Sequence, residues 1–289
     1  MTGRFQSRST WPALPALKEI ALRKNTLRWL IPAIVSVLAV PLSGGCAIDK
    51  GTALAADFEE DWAGTANVAR IHTTKNNTLP FSGTATGVLV LEEDTPADVV
   101  SERTNELRGY VARHANVTGR ITADGITFTV VADEERTREV LTLWQSLAAD
   151  DQVVNGDVDD VSRKETDGWR AKVTAVDATG AMAVFNDMVS DGGRHGPLPG
   201  TSSLKVGTGR GMEPGLSIGT GIDGSLPTEA IAAYEAVVAQ YPVVSAGLQH
   251  DRVSIVVAKG VDQVRAGELA RRAAPNLGAA VKVRSDGGA

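Results

Sequence analysis

GRITADGITFTVVAD, residues 119–133, holds two short alternating runs: Ile121 and Ala123 before Asp124-Gly125, and Ile126, Phe128 and Val130 after it. Asp and Gly both tolerate positive φ, which a two-residue hairpin turn requires for its twist to suit the flanking strands. The stretch predicts a β-hairpin with one apolar face.

Upstream, GVLVLEED from Gly87 reads as a strand, and Thr95, Pro96 and Asp98 open a helix. They offer a capping hydroxyl, a proline for the first turn and an acid near the positive end of the dipole. Val100, Leu107 and Val111 share one helical face. Downstream, residues 134–149 set Val140, Trp144 and Leu147 on one stripe, and QVVNGDV closes as a strand. The order β-α-β-β-α-β resembles the split βαβ, or ferredoxin-like, arrangement.

The same order returns from Leu216: LSIGTGI as a strand, a helix opened by Ser225-Leu226-Pro227, the hairpin VVSAGLQ/RVSIVVAK, a helix over 261–273 and the strand AAVKVR. Ile126, Phe128 and Val130 match Val253, Ile255 and Val257 without a gap, so the chain reads as duplicated. Between the copies, AKVTAV, a short helix with Ala181, Val184, Phe185 and Met188, and SSLKVG extend the second sheet. The expected class is α+β, with two tandem lobes at 61–165 and 166–289. Residues Ile121 to Val158 also resemble a BON domain, which implies attachment to lipid or to other envelope components.

The amino terminus sets the expected location. Residues 1–28 carry six bases against Glu19 alone, and Trp29 to Leu42 are apolar. Basic segment, short apolar run and small residues follow in the order of a secretion signal. The run is shorter than the roughly 20 residues a bilayer span needs and contains Pro32 and Pro41. Ser43, Gly44 and Gly45 precede Cys46, the chain's one cysteine. This resembles a bacterial lipoprotein leader, with Leu42 four places before the cysteine. The resemblance implies that residues 1–45 are a signal peptide, that Cys46 is the lipid attachment site, and that the body lies on the outer face of the cell membrane. Retention of the leader as an anchor without lipid is the alternative. Residues 46–60, small and polar, read as a tether.

Removing residues 1–45 takes away six of 29 bases and one of 35 acids, and carries the formal net charge from −6 to −11. An acidic body excludes nucleic acid, and it argues against lying flat on anionic lipid.

Several spellings invite chemistry. GLSIG, residues 215–219, is G-x-S-x-G, which makes Ser217 the candidate nucleophile of a serine hydrolase with His250 as its one downstream histidine. Pro214 before it and glycines after it point instead to a strand. Gly219, Gly221 and Gly224 spell a dinucleotide fingerprint, but Ser225-Leu226-Pro227 postpone the helix that must receive the pyrophosphate. Ser202 and Lys205 form S-x-x-K on a segment that alternates like a strand, which turns the two side chains apart. Asp150, Asp151, Asp157, Asp159 and Asp160 could surround calcium, although Val161 stands where a ligand should be; a solvated face is the preferred reading. His72, His114, His195 and His250 lack metal-ligand spacing. Neither a cofactor nor a metal is expected. The sequence points to a non-enzymatic envelope module whose partner is another envelope protein or a wall component.

Overall fold

The computed structural model describes residues 49–79, 82–161 and 168–287. The leader and Cys46 lie outside the described residues. Among those described, eleven strands form one mixed sheet whose spatial order is the chain order, β1 to β11. The strands are β1 (Val68–Leu79), β2 (Ser82–Leu91), β3 (Val117–Ala123), β4 (Ile126–Val130), β5 (Val153–Asp160), β6 (Trp169–Ala175), β7 (Thr201–Thr208), β8 (Gly215–Gly219), β9 (Val243–Gln249), β10 (Arg252–Val257) and β11 (Val281–Ser285). Six helices accompany them: α1 (Lys50–Trp62), α2 (Ala97–Arg113), α3 (Glu134–Ala148), α4 (Ala178–Val189), α5 (Thr228–Val238) and α6 (Gln263–Ala273).

The hairpin at 119–133 forms as its spelling requires. Asp124 has φ 50° and Gly125 φ 75°, and Ile121 pairs with Phe128 across the turn. From there antiparallel and parallel pairings alternate along the sheet. Hairpins or short connections join the antiparallel neighbours, and α2 to α6 each bridge a parallel pair. The expected β-α-β-β-α-β order is present twice, as β2 to β5 with α2 and α3, and as β8 to β11 with α5 and α6. The split pairing is corrected: β2 lies directly beside β3 and β4 beside β5, so no strand is inserted between the partners of a crossover. The expected boundary at 165/166 falls between β5 and β6, and these strands pair from Val153↔Ala175 to Asp160↔Trp169. One sheet therefore runs through it, and Ala47–Ala289 form one compact unit.

All the helices cover one face. Leu89, Ile121, Phe128, Val158, Ala171 and Leu204 are successive register partners, each no more than 3% exposed. Neighbouring helices meet above this row: Phe58 of α1 contacts Tyr110 of α2 edge-on, and Glu229 of α5 holds the Asn276 amide after α6. This arrangement has a consequence for handedness. Successive crossovers step the same way along the sheet while their strands point in opposite directions, so helices kept on one face must alternate in hand. The crossovers through α3 and α5 differ in hand from those through α2, α4 and α6, and at least two of the five depart from the right-handed preference. Uniformly right-handed crossovers would have placed helices on both faces.

Local chemistry fixes the helix starts. Asp133, Asp177 and Asp262 accept from the backbone N–H of Arg136, Gly180 and Arg265, capping α3, α4 and α6. Thr95, expected as a cap, instead donates from Oγ1 to the Glu92 carbonyl, and Pro96 precedes α2 without a side-chain cap.

The tether expected over 46–60 is helix α1 from Lys50 onward. Gly51, Ala55, Phe58 and Trp62 are buried at helical spacing against β1 and β2. Gly87 makes this docking possible, since a Cβ there would stand 2.4 Å from the Phe58 ring. Phe58 is fully buried, so Phe58→Ala is expected to lower the unfolding free energy by about 3–5 kcal/mol in urea titrations followed by circular dichroism. A loss below about 1 kcal/mol would mean that α1 is not part of the core.

Candidate functional site on the bare face of the sheet

Because the helices share one face, the alternate side chains of every strand stand on an uncovered face. Register assigns them. Thr74, Thr86 and Thr118 form a hydroxyl row near the β1 edge. In the middle, Arg120 lies 3.0 Å from Asp157 and Arg170 2.9 Å from Asp159, and Thr129 donates to Asp159. The acidic stretch is a solvated face only in part: Asp151 is exposed and Asp157 half-exposed, whereas Asp150 is buried. Asp157 and Asp159 are tied to arginines on the bare side. Asp160 turns to the helical side and pairs at 2.9 Å with Arg136, whose guanidinium lies over the Trp169 ring. Asp150 and Asp151 sit on the turn before β5, away from these three. Among the described residues no group of three or more His, Cys, Asp or Glu side chains is arranged to hold a metal ion.

From β6 to β11 the bare face changes character. One row of register partners reads Thr174, Gly207, Ser217, Gly247, Ser254 and Lys282. The adjacent row reads Lys172, Lys205, Gly219, Gln249 and Arg252. Small residues make a low floor, and long cations rise at both ends. Lys172, Lys205, Gly207 and Ser217 line one hollow of about 200 Å³. Gly247, Arg252, Ser254, Lys282 and Arg284 line a second of about 760 Å³. The two adjoin where Ser217 meets Gly247 and together form a trough about 24 Å long, five strand spacings.

The trough is cationic on an acidic body. Across the bare face, Arg70, Arg120, Arg170 and Lys172, then Lys205, Arg252, Lys282 and Arg284, face two strand carboxylates, Asp157 and Asp159. The formal −11 over residues 46–289 is an average, and its excess acid lies elsewhere on the surface. Lys172 and Lys205 are exposed direct cross-strand partners and have no ion-pair partner among the described residues. Like charges placed opposite one another destabilise a sheet.

The sequence candidates find their places here. GLSIG is β8 itself, and Ser217 projects from mid-strand between Gly207 and Gly247 on the trough floor. His250 lies beyond Gln249 on the β9–β10 turn, and among the described residues no hydrogen bond joins it to Ser217. Gly219 belongs to the floor, and Gly224 has φ 80° in a turn four residues ahead of Thr228, where α5 begins. Ser202 faces the helical side and donates to the Trp169 carbonyl, while Lys205 faces the trough. His72 stands on the bare face of β1, and His114 stacks on Tyr110 at the end of α2.

One constellation lies outside the reach of spacing rules. His195, in the loop after α4, places Nε2 2.8 Å from Asp150 Oδ2 and Nδ1 3.2 Å from Ser146 Oγ. These are the residue types of a hydrolase triad, but both His195 and Asp150 side chains are fully buried. Ser146 donates to the Leu143 carbonyl in the last turn of α3, where carbonyls converge and an oxyanion would meet negative charge. The cluster works as a lock between α3 and the α4–β7 loop. Burial by itself would raise the Asp150 carboxyl, but the Gln152 N–H, His195 and Arg194 outweigh it and hold it below the ordinary carboxylate range.

Fold and site together define a one-sided open sheet with a cationic trough. No protein-family model, curated protein or solved structure matches the chain.

His195→Ala leaves a buried carboxylate short of a donor and is expected to cost about 1–3 kcal/mol in chemical denaturation. Because the folded Asp150 carboxyl is depressed, its contribution is present above about pH 4, the unfolded value, and is lost as the pH falls through the folded value. The stability gap between the parent and Asp150→Asn should therefore be constant above about pH 4 and close below it; parallel acid profiles would contradict the lock.

Proposed function

We propose that this chain is a lipid-anchored extracytoplasmic binding module of the bacterial cell envelope, non-enzymatic, with Cys46 as its attachment point and the bare sheet face as its working surface. The single observation that carries the binding role is the uncovered face itself: eleven paired strands with helices on one side and segregated cations on the other. The anchoring role rests on the basic, short-apolar, small-residue order before Cys46. A lone cysteine in an exported chain has no disulfide partner and is otherwise exposed to oxidation. Since α1 starts at Lys50, Ala47, Ile48 and Asp49 are the residues between that cysteine and the body. No helix among the described residues is long and apolar enough to cross a membrane.

The two β-α-β-β-α-β stretches are read as a duplicated pair of BON-like lobes that share one sheet, with β6, α4 and β7 between them. The partner is an envelope or wall component held against the bare face. A serine hydrolase built on Ser217 is the competing reading, and the glycines on either side of Ser217 favour a binding floor over a nucleophile.

Metabolic labelling with radioactive palmitate is expected to mark the parent and not Cys46→Ala. Label in both, or in neither, would refute the anchor. A fluorophosphonate probe should leave the parent unlabelled; labelling that disappears in Ser217→Ala would replace the binding role with hydrolysis.

A further inference from the structure

We infer that the trough across β6 to β11 binds a linear anionic polymer with hydroxyl-bearing repeat units, its acid groups being phosphodiester or carboxylate. This deepens the reading of the bare face as the binding surface but does not depend on the lipid anchor.

The cations are placed at the two ends. Lys172 and Lys205 stand on β6 and β7, and Arg252, Lys282 and Arg284 stand on β10 and β11, where Asp251 of the β9–β10 turn offsets Arg252 at 3.9 Å and leaves Lys282 and Arg284 as the excess charge. Between them Ser217, Ser254 and Gln249 offer neutral hydrogen-bonding groups above a glycine floor. An occupant must place acid groups at both ends and polar, uncharged matter between them. A polymer of charged and hydroxylated units fits this, whereas a compact anion would reach one end alone. Gly207 keeps the floor low, because a Cβ there would stand 2.8 Å from the Leu216 carbonyl.

Two other polyanionic surfaces fit less well. Strands in a sheet rotate by roughly 20–25° at each step, so an eleven-stranded face turns through far more than a right angle and cannot lie against a planar bilayer. The trough also occupies the half of the sheet away from β1 and β2, against which α1 packs. Nucleic acid would lack stacking partners, since no Phe, Trp or Tyr projects from the β6–β11 strands into the trough. The unpaired Lys172–Lys205 juxtaposition, a cost to the empty sheet, is relieved when an acid group lies between the two amines.

Full-length protein in neutral detergent would be titrated by fluorescence anisotropy with labelled poly(glycerol phosphate), polygalacturonate, dextran and single-stranded DNA, and by flotation with phosphatidylglycerol vesicles. Binding to at least one of the first two, absent for dextran, is expected; which of them binds tells phosphodiester from carboxylate. Lys172→Glu/Lys205→Glu should weaken it about tenfold or more, as should Lys282→Glu/Arg284→Glu, while Arg138→Glu, exposed on α3 on the opposite side of the sheet, changes it less than twofold. Lys172→Gln/Lys205→Gln should also weaken binding while melting no lower than the parent, which separates lost charge from misfolding. Binding to neither polymer, loss with Arg138→Glu but not with the trough variants, or a preference for vesicles or DNA would each overturn the proposal. Loss of palmitate labelling in the native host with polymer binding intact would overturn the anchor alone.

Discussion

The structure depends on one constraint: every crossover helix lies on the same side of a sheet whose strands follow chain order. Antiparallel and parallel pairings alternate, so the chain reverses direction after each βαβ unit while continuing to advance along the sheet. Alternating the hand of the crossover is the geometric condition for keeping the helices together. It gives up the usual right-handed preference at two or more places, and it is compensated by a single continuous core from Phe58 to Val281. A register slip of one residue in any strand would turn that strand's buried row outward. The alternation of buried and open positions must therefore hold along the strands, and β2, β3, β6 and β10 keep it throughout.

The bare face follows from this constraint. A sheet covered on both sides would need continuous apolar strands, but β6 and β7 place Arg170, Lys172 and Lys205 between buried neighbours, and β10 opens on Arg252 before the buried Val253. The same alternation that builds the core thus assigns charge to the other side, and its sign is not that of the molecule. The formal net charge of −11 over residues 46–289 describes the average; the strands carry the exceptions.

Much of this was legible in the residues. The Asp124-Gly125 turn, the strand–helix order and the correspondence of Ile126, Phe128 and Val130 with Val253, Ile255 and Val257 all follow from local periodicity, and both triplets are buried. The adjacency of β2 and β3 was not legible, because strand order depends on which crossover hands are used, and a β-α-β-β-α-β sequence suits split and unsplit pairing alike. Helix α1 escaped notice because Gly51 and Ala55 supply half of its buried stripe and look like linker residues. The trough was within reach: RAKVTA, SSLKVG and VKVR each alternate cation and apolar residue, and sorting their polar positions by face would have shown it. The Ser146–Asp150–His195 lock was not, since 45 residues separate the histidine from its acid.

The lock and the trough show why residue types alone are poor guides to chemistry in this chain. Ser146, His195 and Asp150 have the composition and nearly the distances of a catalytic triad, but the acid and the imidazole are fully buried and the serine lies against the carbonyl end of a helix. Ser217 sits in an open hollow beside Lys172 and Lys205, and among the described residues no base is hydrogen-bonded to it. One constellation has geometry without access, and the other has access without a proton acceptor. Access combined with positive charge and a floor of small residues is the requirement of a surface that holds an extended anion, and on this sheet β6 to β11 meet it.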